Sequence, residues 1–230
     1  MTKILLVEDE ESIRKFVRIN LEMEDYKVFE AESGEDGIKI AAEEKPDIAI
    51  LDVMLPGIDG FQLCKFLREN YKGIGIIMLT AKSQDMDKIM GLEYGTDDYM
   101  TKPFNPKELI LRVKSLERRL ELKSDEKTDN LLEFPPFKID TYQRRFYKDD
   151  VEIDLTPTEY MIVKIFMENP GKALKRDEIL NLIWGYDYIG DSKIVDVNMR
   201  RVRSKIETEP AKPEFIETVW GVGYRWKSRP

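Results

Sequence analysis

The chain has 230 residues, is 42% hydrophobic, carries a net charge of −8 and contains one cysteine, Cys64, and no histidine. It can fill sizeable cores but cannot form an internal disulfide, a Ser-His-Asp triad, a Cys-His pair or a histidine-ligated zinc site. No apolar run approaches the roughly 20 residues of a membrane span, and the opening "MTKILLVEDEE" turns acidic too early for a signal peptide, so a cytoplasmic protein without a membrane partner is expected.

In chain order, "KILLV" (3–7), "YKVFEA" (26–31), "DIAIL" (47–51), "GIIML" (75–79) and "DYM" (98–100) have the apolar, β-branched character of short strands. Amphipathic stretches near 11–23, 34–44, 59–70, 84–94 and 106–120 separate them. Such alternation predicts a five-stranded parallel, doubly wound sheet with helices on both faces, complete within residues 1–121. The segment "LKSDEKTDN" (122–130) is charged and patternless, as a linker is. From 131 to 230 the pattern changes to α+β. Strand-like pieces in "LLEFPPFKID", "RRFYKDD" and "VEIDL" precede a helix opened by Thr156, Pro157 and Glu159, an N-cap, a first-turn proline and a capping-box acid. Helices near 175–184 and 191–207 follow, and "TVWGVGYRW" (218–226) closes the pattern as a glycine-containing hairpin. Residues 1–120 hold 18 basic and 24 acidic side chains; residues 131–230 hold 17 of each. The first part is acidic, and the second is balanced enough to carry a basic face.

Ligands of a doubly wound sheet bind beyond the carboxyl ends of its strands. Glu8 and Asp9 follow the first strand, Asp52 the third, Thr80 the fourth and Lys102 the fifth. Crowded carboxylates repel one another, and a divalent cation relieves the conflict; Mg²⁺ suits an all-oxygen site. With the cation, a lysine and a hydroxyl facing a phosphoryl group, one carboxylate can act as nucleophile. Asp52 is the best placed, since it ends the most apolar strand.

The segments "ILLVEDE", "ILDVMLPGIDGF", "IIMLTAK" and "GTDDYMTKPF" resemble the receiver domain of bacterial two-component response regulators, over residues 3 to about 120. The resemblance implies a flavodoxin/CheY-like receiver in which a sensor histidine kinase phosphorylates Asp52. It implies Mg²⁺ held by Asp9, Asp52 and the Met54 main-chain carbonyl, with Glu8 acting through water. It also implies a phosphoryl contact from Lys102, a cis Lys102–Pro103 bond, and a switch made by Thr80 and Tyr99. Turnover would be at most slow self-dephosphorylation. A phosphatase of the aspartyl-phosphate type would need a second acid at position 54, where methionine stands.

The second half resembles the winged-helix effector domain of the OmpR/PhoB subfamily, through "LTPTEYMIVKIF", "RDEILNLIW", "VDVNMRRVRSKIE" and "ETVWGVGYRW". In 191–207, Val195, Met199, Val202 and Ile206 share a helical face, opposite Lys193, Val197, Arg200, Arg201 and Ser204. A helix apolar on one side and arginine-rich on the other is a solvated surface helix or one that binds DNA. The resemblance implies the latter, with this helix in the major groove of promoter DNA and the hairpin as a wing near the minor groove. Arg201 and Arg203 are then candidate base contacts, and Lys193, Arg200 and Lys205 candidate phosphate contacts. The loop "GYDYIGD" (185–191) matches a stretch that meets RNA polymerase in some members.

The same subfamily pairs its receivers about a two-fold axis. Its matching positions here are Lys88, Ile89, Leu92 and Leu111, with ion pairs Lys88–Glu108, Asp98–Arg112 and Asp97–Arg119; Leu111 is larger than usual. A homodimer of this kind suits repeated half-sites. Another departure is Trp220, where an arginine is usual. It leaves the wing's positive charge to Arg225 and Lys227, unless Trp220 caps the core or packs on sugar–phosphate. A protein-binding adaptor whose winged helix never meets DNA is the remaining alternative.

Overall fold

The structure is a computed structural model that describes residues 1–81, 94–121 and 130–227. The chain divides into two compact units, Met1–Leu120 and Glu121–Pro230. The expected helix near 84–94 and most of the expected linker lie outside the described residues.

In the first unit, strands β1 (Lys3–Val7), β2 (Lys27–Ala31), β3 (Ile48–Asp52), β4 (Gly75–Thr80) and β5 (Asp98–Thr101) form a parallel sheet of order β2-β1-β3-β4-β5. Helices α1 (Glu11–Glu22), α2 (Gly34–Glu44), α3 (Gly60–Asn70) and α4 (Pro106–Glu121) accompany them. β3 and β4 are buried along their whole length, as strands covered on both faces must be. Alternate residues divide between the faces. Ile4, Leu6, Ile48, Ile50, Ile77 and Leu79 join Val17 and Leu21 of α1 and Leu109, Val113 and Leu116 of α4 in one core. On the other face, Gly37 of α2 lies so close to Val7 and Leu63 that a methyl group there would press on both.

In the second unit, β6 (Leu131–Phe134), β7 (Phe137–Asp140), β8 (Arg145–Lys148) and β9 (Val151–Ile153) form an antiparallel meander. Three helices follow: α5 (Pro157–Glu168), α6 (Arg176–Ile183) and α7 (Lys193–Ile206). The Thr156–Glu159 capping box forms as expected. β11 (Ile216–Val219) and β12 (Gly223–Trp226) make the hairpin, with β10 (Ala173–Lys175) pairing along β12. That third strand is not foreseen in the sequence, because three residues are too few to show a period. Trp226 is wholly buried and meets the ring of Phe137 edge-on at 5.3 Å, so this tryptophan of the hairpin belongs to the core.

Candidate functional site

The strand order of the first unit reverses between β1 and β3, and the polar cluster gathers at that switch point. β1 delivers Glu8 and Asp9, and β3 delivers Asp52. Oxygens of these three carboxylates lie within 4.8 Å of one another. Lys102 arrives by extension of the β4–β5 ladder, its main-chain N–H donating to the Thr80 carbonyl at 2.7 Å. Its Nζ donates to Asp52 Oδ2 at 2.7 Å and sits 2.6 Å from Glu8 Oε2. The Met54 N–H donates to Asp52 Oδ1 at 3.2 Å, which folds the loop after β3 over the carboxylate. Gly60 allows that fold, because a Cβ there would collide with the Asp52 carbonyl at 2.0 Å. Thr80 is buried in β4 one residue past Leu79, the ladder partner of Asp52. Tyr99 is also buried, paired in register with Met78. The Lys102–Pro103 bond is cis, as expected. Arg14 is a participant the sequence did not announce: its Nη1 donates to the Glu8 carbonyl at 2.6 Å and the Asp9 carbonyl at 3.3 Å, bracing the β1 end.

Burial pushes the Glu8 carboxyl up to about 7; the Lys102 hydrogen bond opposes this and the nearby Asp52 charge adds to it. Burial would lower Lys102, but the hydrogen bonds it donates to Asp52 and Glu8 prevail and hold its ammonium above the usual lysine range. One ammonium thus serves two buried carboxylates, with the exposed Asp9 beside them. An oxygen-only donor set with surplus negative charge and one solvent-facing member fits a hard divalent cation such as Mg²⁺.

The expected dimer positions fare differently. Lys88, Ile89 and Leu92 lie outside the described residues. Leu111 is half-buried. Arg112 donates from Nη1 to Asp98 Oδ1 and from Nη2 to Glu108 Oε1, each at 2.7 Å, so within one chain Arg112 already holds Asp98 and Glu108. Asp97 is buried, binds Arg68 and accepts from the Ile76 N–H at 2.9 Å. Arg119 is buried too. The physical reason for the internal pair is that α4 and β5 are neighbours, so an arginine on one reaches an aspartate on the other within a single chain.

Helix α7 also departs from expectation. Val195, Met199, Val202 and Ile206 are buried as expected, but so are Val197 and Arg201, the latter only 6% exposed. Ile194, Asn198 and Arg201 recur at i, i+4 and i+7 and make a second buried stripe beside the first. Arg201 is therefore not presented on the outer face in this structure. Arg203 is also engaged internally: Nε donates to the Ile216 carbonyl at 2.9 Å and Nη2 to Thr218 Oγ1 at 3.0 Å, stapling α7 to β11. Lys205 Nζ donates to Glu159 Oε2 at 2.6 Å and to the Asp154 carbonyl at 2.8 Å, completing the capping box of α5. Arg225 Nε is held by Glu217 Oε1 at 2.6 Å. The cations that α7 turns to solvent are Lys193, 3.6 Å from Asp191, Arg200, and Lys205, which is tied back to Glu159. Trp220, at the hairpin tip, is 91% exposed.

One cluster was missed from sequence. Asp196 of α7 accepts from Arg176 Nε at 2.8 Å and from the Tyr224 hydroxyl at 2.6 Å, and the Arg176 and Arg203 guanidiniums lie 5.0 and 5.2 Å from the centre of the Tyr224 ring. Burial and the bond to Asp196 push the Tyr224 phenol up to about 12. These residues come from α6, α7 and β12, so no single sequence window contains the signal. The cluster and the Arg203 staple make the hairpin and α7 one body.

Comparison with known proteins gives this geometry a context. Residues 4–114 match the family model described as response regulator receiver domain, and residues 150–226 the one described as transcriptional regulatory protein, C terminal. The chain is 43% identical to the alkaline phosphatase synthesis transcriptional regulatory protein PhoP of Bacillus subtilis, over 97% of this chain and 95% of that one. It is 41% identical to the transcriptional regulatory protein AfsQ1 of Streptomyces coelicolor, over 98% of each. Among solved structures, a mutant of RitR aligns over 99% of both chains with a TM-score of 0.77 and 26% identity. The Thermotoga maritima response regulator DrrB, an OmpR/PhoB homologue, aligns over 99% of both with a TM-score of 0.52 and 34% identity.

Proposed function

Because the chain belongs to the two-component response regulators that join a receiver to a DNA-binding transcriptional regulatory domain, we propose that Asp52 is its phosphoacceptor and that phosphorylation there controls promoter binding. The observation that carries this reading is the single Lys102 ammonium bound to both Asp52 and Glu8 at the switch point, with Asp9 alongside. A carboxylate oxygen of Asp52 attacks the phosphorus of a kinase phosphohistidine; the O–P bond forms, the N–P bond breaks, and the imidazole leaves with its electron pair and takes a proton from water. Lys102 faces the incoming phosphoryl oxygens, exchanging carboxylate partners for them. Asp9, Asp52 and the Met54 carbonyl, with Glu8 acting through water, would hold Mg²⁺, which neutralises phosphoryl charge when bound. Thr80 is the hydroxyl that follows the new charge, and Tyr99 the ring coupled to it. Hydrolysis of the acyl phosphate is slow, since exposed Met54 supplies no base.

We assign residues 1–121 to the receiver, 122–130 to the connection and 131–230 to the effector, and place the protein in the cytoplasm. Receiver pairing is the output: Arg112 and Asp98 exchange their internal partners for those of a second copy, and the dimer gains affinity for repeated half-sites through effective concentration. On DNA, Arg200 and Lys193 meet the duplex first, and the exposed Tyr186 and Ile189 of the 185–191 loop are the candidate polymerase contact. The test is incubation with acetyl phosphate and Mg²⁺, followed by intact mass measurement and promoter footprinting. Wild type should gain one phosphoryl group and bind DNA more tightly, and Asp52→Asn should do neither. Equal stimulation of both proteins would overturn the switch.

A further inference from the structure

Arg14, early in α1, stands outside the cluster of carboxylates but holds its β1 end. A helical side chain leans towards the N-terminus of its helix, and here the lean carries the guanidinium back over Glu8 and Asp9. Its three nitrogens divide. Nη1 faces inward and donates to the Glu8 carbonyl at 2.6 Å and the Asp9 carbonyl at 3.3 Å. Nε and Nη2 face outward, each 3.7 Å from a carboxylate, that of Glu30 in β2 and that of Glu32 just beyond it. Only 14% of the side chain is exposed. The place is electrostatically unfavourable for a cation, because the N-terminal end of a helix is itself positive. The two glutamates offset this, and Arg18, 3.0 Å from Glu30, steadies one of them.

The two carbonyls belong to the planar peptide units on either side of the Asp9 Cα. One nitrogen holding both oxygens fixes φ and ψ at Asp9, and with them the direction of its Cα–Cβ bond. The Glu8 N–H, which donates to the Ala31 carbonyl at 3.1 Å, ties the same stretch to β2. Lys102 holds the side chains of Glu8 and Asp52. The exposed Asp9 carboxylate has no hydrogen-bond or ion-pair partner among the described residues, so its backbone alone aims it at the other two. We propose that Arg14 is a positioning residue for the divalent-cation site: it aims the Asp9 carboxylate through the main chain and so makes the site prefer Mg²⁺ to Ca²⁺. Mg²⁺ demands near-ideal octahedral geometry, whereas Ca²⁺ accepts flexible ligands, so a loss of aim falls mainly on Mg²⁺. This proposal rests on the metal-binding reading above.

The test is displacement of Mn²⁺ from the full, unphosphorylated chain by Mg²⁺ or Ca²⁺, read from the electron paramagnetic resonance of free Mn²⁺. Arg14→Met removes the donors and the charge together, and the two losses act in opposite directions. Removing a positive charge beside the site tightens the binding of every cation, whereas removing the aim weakens it. Arg14→Met should therefore bind Mg²⁺ about tenfold more weakly, the scale for a group that orients a metal ligand, and Ca²⁺ by a smaller factor. Arg18→Met removes a neighbouring cation of the same helix that touches neither carbonyl, and should weaken neither ion. Melting curves in chelator check that each variant folds. Should Arg14→Met not fold, Arg14→Lys carries the same test, because a compact ammonium cannot serve both carbonyls and both glutamates as the fork does; it too should lose Mg²⁺ several-fold. Mg²⁺ binding as tight as wild type or tighter in the Arg14 variant, an equal loss for Mg²⁺ and Ca²⁺, or the same loss in Arg18→Met overturns the proposal and leaves the metal site in place. Failure of wild type to hold Mn²⁺, or undiminished Mn²⁺ binding by Asp9→Asn, overturns the metal reading and the proposal together.

Discussion

Two lysines hold buried glutamates at the same distance and do different work. Lys102 lies 2.6 Å from Glu8 in the first unit, and Lys205 lies 2.6 Å from Glu159 in the second. Around Lys102 the charges do not close: Asp52 and Asp9 add further carboxylates at a solvent-facing strand edge, and Glu8 is pushed towards its neutral form. Around Lys205 they do close, because Glu159 also accepts from the Thr156 N–H at 2.8 Å and so finishes a helix start. An ion pair marks a reactive site when charge is left over for a ligand, and a structural one when every partner is already satisfied.

Removing the nucleophile should separate the two regions most sharply. Asp52→Asn should lose phosphorylation by at least about a hundredfold, as expected when a transition-state group is deleted, while unphosphorylated DNA binding and the melting temperature of the second unit stay near wild type. Intact mass after acetyl phosphate, with calorimetry, checks both. Lys205→Ala should do the reverse. Phosphorylation persists, but the second unit loses stability on the order of 1–3 kcal/mol for a buried Glu159 carboxylate left without its lysine and a weakened cap, seen as a lower melting temperature. If Lys205→Ala instead changes only the salt dependence of DNA binding, Lys205 is a phosphate contact and the contrast fails.

A smaller effect follows from Glu8. In the metal-free protein its carboxyl is raised from 4.5 to about 7, so the fold favours the neutral form. That contribution is fully present below pH 4.5 and is lost as the pH rises through about 7. Melting curves in chelator should therefore show the stability of Glu8→Gln relative to wild type growing across that window; a constant difference would mean that the glutamate is not held neutral. The smallest change belongs to Arg200→Ala. It should weaken duplex binding a few-fold and reduce the salt slope by about one, without moving the melting temperature. Arg203→Ala should instead lower the melting temperature, since that guanidinium holds the hairpin.

The polar pocket at the sheet edge was legible because strand ends are. Glu8, Asp52 and Thr80 directly follow apolar runs and Asp9 and Lys102 come one residue later, and parallel strands all end on the same edge, so position along the chain translates into position in space. Helix α7 was only half legible. Its period showed one buried stripe, but the second stripe, which takes in Arg201, depends on what packs beside the helix. The fate of a long cation also depends on partners far along the chain, such as Thr218 for Arg203 at a separation of 15 residues and Glu159 for Lys205 at 46.

The hairpin carries the same division in nine residues. Alternation and two glycines, short-range properties of the chain, were enough to read a β-hairpin with aromatic side chains from "TVWGVGYRW". Short-range patterns elsewhere in the chain were likewise enough to read the order of strands and helices, β10 apart, the Thr156–Glu159 cap and the polar residues at the sheet edge. Only the tertiary structure sent Trp226 inward to Phe137 and left Trp220 in water. Likewise, it alone paired Arg112 with Asp98 inside the chain and left Arg200 to the solvent. Local pattern sets backbone conformation because it acts within a few residues, whereas the partner of a side chain is chosen by whatever the completed fold brings within about 3 Å of it.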